Sequence, residues 1–254
     1  MHIAVVLRIV PDLAEELEIA ESGCEIDREW VGLKLNEFDD HALEEAVLIK
    51  EQTSAKVTAI ALAGEGAERQ LQTAVARGAD EAVLVGHDLG PVVPSRAAAV
   101  LLKPIIEQLG VDIVLTGVQT PEDVFGQLAP FLAGSLGWPV LNAVNGIVAG
   151  AGRLTVAQEY SGGYAARFEA VTPVVLGIQT ASKPPRYVSG SKLRQASSAT
   201  INKTEATLPG DAIIQSVQQL KVPERASSAE MLDGSAEQVA EKLVEILATR
   251  GLLG

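Results

Sequence analysis

The side chains best suited to acid–base or nucleophilic chemistry stand where that chemistry lacks a second group. Glu15-Glu16 and Glu44-Glu45 are adjacent carboxylates, but neither pair has a nucleophile nearby in sequence, so both read as solvated charged faces. His41 follows Asp39-Asp40 without a second histidine at ligand spacing, and reads as an ordinary surface or partly buried histidine. Cys24 is the single cysteine and lies in a polar loop, which excludes an internal disulfide and a cysteine-rich metal site. Ser161-Gly162-Gly163 reads as a hairpin turn, not a nucleophile elbow, and Trp138-Pro139 as packing. Hydrolytic and acid–base catalysis are therefore not indicated, and binding chemistry remains. The stretch Gly117-Val118-Gln119-Thr120-Pro121-Glu122-Asp123-Val124-Phe125-Gly126-Gln127-Leu128 joins an apolar run to a helix. Backbone N–H groups at such a junction bind phosphate, and glycines let the backbone approach closely. The pattern is neither the dinucleotide fingerprint nor a P-loop, so a nucleotide site and a plain strand-to-helix connection both fit it. Asn36-Glu37-Phe38-Asp39 offers helix-capping residues or, alternatively, an entry into the same crevice.

These residues need elements to position them. Apolar runs of strand length occur at His2–Ile9, Lys56–Leu62, Glu81–Val85 and Asp112–Thr116. Between and after them, helical spacing covers Asp39 or Asp40 to about Lys50, Glu65–Arg77 (stopped by Gly78), Ser95–Leu109 (kinked at Pro104) and Glu122–Leu136. Residues 12–35 are irregular and acidic. This alternation predicts an α/β fold: a Rossmann-like, mostly parallel sheet with helices on both faces. Ligands of such sheets sit beyond the carboxyl ends of the strands, here Leu7–Asp12, Ala63–Gly66 and Gly117–Leu128. Strand-like runs at Val140–Val148, Arg153–Tyr160, Tyr164–Ala170 and Val174–Ile178 add β-hairpins, with turns at Gly150, Gly152 and Gly162-Gly163. Residues 182–235 are polar and aperiodic, which predicts an extended arm that needs a partner, followed by an amphipathic helix over Ala236–Thr249. The expected organisation is a nucleotide-binding domain over 1–181 and a recognition loop with carboxyl-terminal arm over 182–254.

The chain has 254 residues, 47% of them hydrophobic but only 4% aromatic, so its core is built from Val, Leu, Ile and Ala. A net charge of −13 without a local basic patch speaks against nucleic acid. Apolar runs are too short for a membrane span. A first strand beginning at residue 2 leaves no room for a leader peptide, and the expected location is cytoplasmic.

Gly177–Ala196 leaves an apolar run into a proline-stiffened loop, Pro184-Pro185-Arg186-Tyr187, with a small basic tail. The loop either presents a docking surface or is braced on its own domain. Pro185-Arg186-Tyr187 resembles the recognition loop of electron transfer flavoprotein beta subunits. In chain order, Val10-Pro11-Asp12, Asn36-x-Phe38-Asp39 with Ala42-x-Glu44-Glu45-Ala46-Val47, Ala74-x-x-Arg77-Gly78-Ala79-Asp80, Gly117-x-Gln119, Leu132-Ala133-Gly134-x-Leu136-Gly137-Trp138-Pro139, Gly162-Gly163 and Val222-Pro223-Glu224 resemble the same family. The resemblance implies a non-enzymatic electron carrier subunit. It would pair with an alpha subunit that holds most of one FAD, and hold AMP structurally itself. Electrons would pass from a partner dehydrogenase to a downstream quinone-reducing acceptor. Carried over, the AMP site uses Val6, Asn36, Glu37, Phe38, Asp39, Ala63 and Gly117 to Leu128. The FAD-facing edge is at Leu13. Partner recognition falls on Arg186, Tyr187, Val188, Ser189, Gly190, Ser191, Lys192 and Leu193. Leu128 and Gly126 depart from the family by lacking a hydroxyl and a side-chain amide. Gln127-Leu128-Ala129-Pro130 partly resembles relatives that hold a second FAD in the crevice and bifurcate electrons. Thr116-Gly117-Val118-Gln119 and Arg194-Gln195-Ala196 instead resemble the branch serving iron–sulfur flavoprotein amine dehydrogenases. A non-redox nucleotide-binding domain is the remaining alternative.

Overall fold

The computed structural model describes residues 1–123, 125–150, 153–210, 212, 216–223, 229 and 231–253. Val124 of the crevice loop, Gly152 of the hairpin turn and Glu224 of the arm lie outside them. The chain forms two compact units, Met1–Gln218 and Gln219–Gly254.

In the first unit, β1 (His2–Val6), β4 (Lys56–Leu62), β5 (Glu81–Gly86), β6 (Ile113–Gly117) and β10 (Val174–Ile178) are parallel strands of a nine-stranded sheet. Their runs are buried on both faces, which is why they read as continuous apolar stretches. Helices α1 (Glu37–Thr53) and α2 (Ala67–Arg77) pack with Ile3 and Val5 on one face. Helices α3 (Ser95–Leu109) and α4 (Leu128–Leu136) pack with Ala4 and Val6 on the other. The alternation along β1 thus feeds two cores, as a strand of period two must. Strands β7 (Val140–Ala149), β8 (Arg153–Glu159) and β9 (Ala165–Val171) extend the sheet, β8 and β9 running antiparallel. The short turn Ser161–Gly163 joins the last two, with Gly162 at φ +79°. With β11 (Ile201–Glu205) at one edge, the sheet order is β11-β5-β4-β1-β6-β10-β7-β8-β9.

Four differences from the sequence reading have local causes. The run from His2 does not stay in the sheet to Ile9. Ile9–Pro11 (β2) turns out to pair antiparallel with Leu33–Leu35 (β3), inside a stretch expected to be irregular. Helix α1 starts at Glu37, two or three residues early, with Asn36 at the cap position but making no side-chain capping bond. Helix α4 starts at Leu128 and not Glu122, because the bonds of Asp123 with Thr120 and Gly126 close a turn with Gly126 at φ +63°, a left-handed conformation no helix continues through. Finally, the aperiodic stretch after residue 182 contains α5 (Gly190–Ala196) and β11 (Ile201–Glu205). β11 pairs in parallel with β5, so this stretch contributes a strand to the main sheet.

The second unit contains α6 (Ala236–Thr249), opened by a capping box between Ser235 and Gln238. None of its residues is buried, and Leu243, Val244 and Leu247 remain exposed on it.

Candidate functional site

Strand order reverses at β1. The chain moves outward through α1 to β4 and through α2 to β5, then returns through α3 to β6 on the opposite side of β1. The gap between the carboxyl ends of β1 and β6 is a topological switch point, where doubly wound sheets bind ligands. Gly117 ends β6 and Val6 ends β1, so the sequence-derived site residues converge here.

Asp39 joins the two sides of that gap. Its side chain is fully buried and accepts from Arg8 N and Nε at 2.8 and 2.9 Å, from Arg8 Nη2 at 2.8 Å and from Gly117 N at 2.6 Å. Arg8 Nη2 also donates to Gly117 O at 2.9 Å. Asn36 Nδ2 donates to Gln119 O at 2.9 Å, so this amide secures the crevice loop instead of capping α1. A Cβ on Gly117 would lie 2.4 Å from Asp39 Oδ1 and 2.7 Å from Asp39 N, which is why a glycine stands there. Arg8 escaped the sequence reading. Its only signal was a lone cation two positions past a buried strand end.

The loop beyond Gly117 is largely bonded to itself. Thr120 N donates to Asp123 O, Asp123 N to Thr120 O and Oγ1, Gly126 N to Asp123 O, and Gln127 N to Asp123 Oδ2. Ser95 Oγ donates to the same Asp123 oxygen, tying α3 to the loop. The sequence expectation had phosphate meeting these N–H groups; four of them already have partners within the loop. Arg8 Nη1 is different: it is buried and has no hydrogen-bond partner among the described residues. An anionic group in the crevice fits that donor.

The remaining expected residues differ in exposure. Val6 and Leu128 are buried, Thr120 and Gly126 are buried in the loop, and Phe38, Ala63, Val118, Gln119, Pro121 and Asp123 are partly buried. Glu37 and Phe125 are exposed. Glu122 pairs with Arg28, another residue the sequence did not single out, and so clasps the crevice loop to the segment between β2 and β3. Burial pushes the Glu122 carboxyl up against the opposing pull of Arg28. Leu13 is 55% exposed.

The docking candidates divide into two groups. Arg186 is braced. Its backbone N donates to Glu44 Oε2 at 2.9 Å, its Nε to Glu44 Oε1 at 3.0 Å, and its Nη1 to Glu51 at 2.6 Å. Its hydrogen bonds to Glu51 and Glu44 raise its pKa further. Tyr187 points outward with 93% of its surface exposed. Val188 is buried, Ser189 caps α5 by accepting from Lys192 N, and Gly190, Ser191, Lys192 and Leu193 form the exposed first turn of that helix.

Glu44 and Glu45 correct the reading of a solvated face, since they are only 2% and 1% exposed. Glu44 also pairs with Arg77, while Glu45 accepts from Ile147 N, Ser182 N and Ser182 Oγ. Burial opposes the charge on Glu44, but the Arg186 and Arg77 bonds outweigh it and hold its carboxyl below the usual range. Glu15 and Glu16 are exposed, as expected.

A doubly wound, mostly parallel sheet with helices on both faces defines a Rossmann-like α/β fold. Residues 24–209 match the electron transfer flavoprotein domain. An electron transfer flavoprotein subunit beta from Thermoanaerobacterium thermosaccharolyticum is 30% identical over 100% of both chains. One from Methylophilus methylotrophus is 29% identical over 97% of this chain and 98% of its own, and one from Clostridium acetobutylicum is 34% identical over 76% and 74%. The chain belongs to the electron transfer flavoprotein family, as the resemblance of its ordered motifs implied. It is an electron carrier subunit and not an enzyme. No helix among the described residues is long and apolar enough to cross a membrane.

Proposed function

We propose that this chain is the beta subunit of a cytoplasmic heterodimeric electron transfer flavoprotein. It takes electrons from a partner dehydrogenase, an iron–sulfur flavoprotein amine dehydrogenase by class. The electrons pass through an FAD held mainly by the alpha subunit to a quinone-reducing acceptor. AMP occupies the switch-point crevice as a structural ligand. Val6, Asn36 to Asp39, Ala63 and the loop from Gly117 to Leu128 surround it, and Arg8 offers a guanidinium to its phosphate. Leu13 faces the flavin. Tyr187 and the first turn of α5 meet the dehydrogenase, and the region from 182 to 254 engages both partners.

The observation that carries this reading is family membership along the whole chain combined with a buried guanidinium nitrogen, Arg8 Nη1, that has no partner among the described residues at the sheet's switch point. The chain's own residues bind, orient and dock; the flavin supplies the redox chemistry. The test is to purify the heterodimer, denature it and identify what is released. One AMP and one FAD per heterodimer are expected. Two FAD without AMP would replace this reading with a bifurcating flavoprotein. FAD alone would remove AMP from it.

A further inference from the structure

Helix α1 carries two neighbouring carboxylates that do separate tasks for one strap. The strap leaves β10 at Ile178 and enters β11 at Ile201. Glu45 receives its beginning, through Ser182 N at 2.7 Å and Ser182 Oγ at 2.9 Å. Glu44 receives its middle, through the backbone N and guanidinium of Arg186 at 2.9 and 3.0 Å. The next residue is Tyr187, the most exposed large hydrophobic side chain on the strap. Both carboxylates are buried, and they would be costly to bury without these donors. On the far side, Gln72 Nε2 of α2 donates to Ser197 O at 3.2 Å.

We propose that Glu44 and Glu45 are positioning residues for partner docking: together they hold the strap so that Tyr187 and the first turn of α5 are presented in one place. This rests on the docking role assigned above to that surface. Charge-assisted bonds to backbone N–H groups are short and directional, so they fix the chain itself and not only a side chain. Presenting a docking surface already ordered lessens the entropy lost on binding.

The experiment uses the intact heterodimer with Glu44→Gln and Glu45→Gln. Each substitution keeps the shape but removes the charge and one acceptor. Arg186→Lys serves as a second route, because it loses the Nε bond while leaving Glu44 with Arg77. Tyr187→Ala alters the docking surface alone. Hydrogen exchange is followed across residues 182–197. Losing one charge-assisted bond there should accelerate exchange by about tenfold, and leave β1, β4 and β6 unchanged. Reduction of the heterodimer by an iron–sulfur flavoprotein amine dehydrogenase should show KM raised several-fold with kcat unchanged, in these variants and in Tyr187→Ala.

Unchanged exchange in Glu45→Gln and Arg186→Lys overturns the proposal. Faster exchange with a parental KM, while Tyr187→Ala raises KM, also overturns it, since order would then not matter for docking. If exchange quickens but Tyr187→Ala too keeps the parental KM, the docking role fails and the positioning of the strap stands. Should that dehydrogenase not reduce the parent, the donor class is wrong and exchange alone decides.

Discussion

Asp39 joins the two sides of the switch point, accepting from Arg8 just past β1 and from Gly117 at the end of β6. Its carboxylate takes three N–H groups of Arg8 and one of Gly117. Asp39→Asn would keep the shape but leave the Arg8 guanidinium without its counter-charge in a largely buried position. Breaking such a pair costs about 3 kcal/mol or more. A lowered denaturant midpoint with an unchanged slope is expected for the variant, together with loss of the AMP proposed for the crevice. A parental midpoint would mean that Arg8 finds another acceptor. At this scale the sequence was least legible. Glu44 and Glu45 look like any exposed acidic pair, because the residues that justify their burial lie far away: Arg186 is 142 positions from Glu44 and Ser182 is 137 from Glu45. Composition and helical spacing carry no trace of such pairings. Asp39 was legible as a cap and as a family motif, but its real partner Arg8, 31 positions back, was not.

Among the elements, those with strong periodicity were read to the residue. Lys56–Leu62, Ser95–Leu109, Val174–Ile178 and Ala236–Thr249 coincide with β4, α3, β10 and α6. Repeated apolar contacts decide such boundaries, and the sequence displays them. The crevice loop was misread because a turn decides it, and a turn depends on one or two residues. Gly126 is the clearest. At φ +63° a Cβ there would lie 2.3 Å from Val118 O. Gly126→Val would join an unfavourable left-handed conformation to that collision, and about 2 kcal/mol or more of stability should be lost. Urea denaturation measures it. A variant as stable as the parent would show that the loop can re-form without this turn. Any fall in AMP content in this variant follows from displacement of the loop, so nucleotide placement is better tested by released-nucleotide analysis. Strands β2 and β3 were missed for a related reason: at three residues each, they are too short to show a period.

For the whole molecule, the division at Gln218 separates a unit with two cores from one whose helix buries none of its residues. An amphipathic helix with Leu243, Val244 and Leu247 exposed gains little by itself, and association with a partner is what would bury them. Ending the chain at Gln218 should leave the thermal midpoint of the first unit close to the parent's. Co-purification with the alpha subunit should be lost. Undiminished co-purification, read by size-exclusion chromatography of the co-expressed subunits, would place the heterodimer contacts on the first unit alone.

The strap between β10 and β11 has both ends in one sheet, since its two flanking strands sit five places apart in the strand order. A flap hinged at one end sweeps through an arc and can present its tip at many angles. A span moored at both ends can only bow. Whatever approaches Tyr187 therefore meets a surface with a fixed address relative to the sheet.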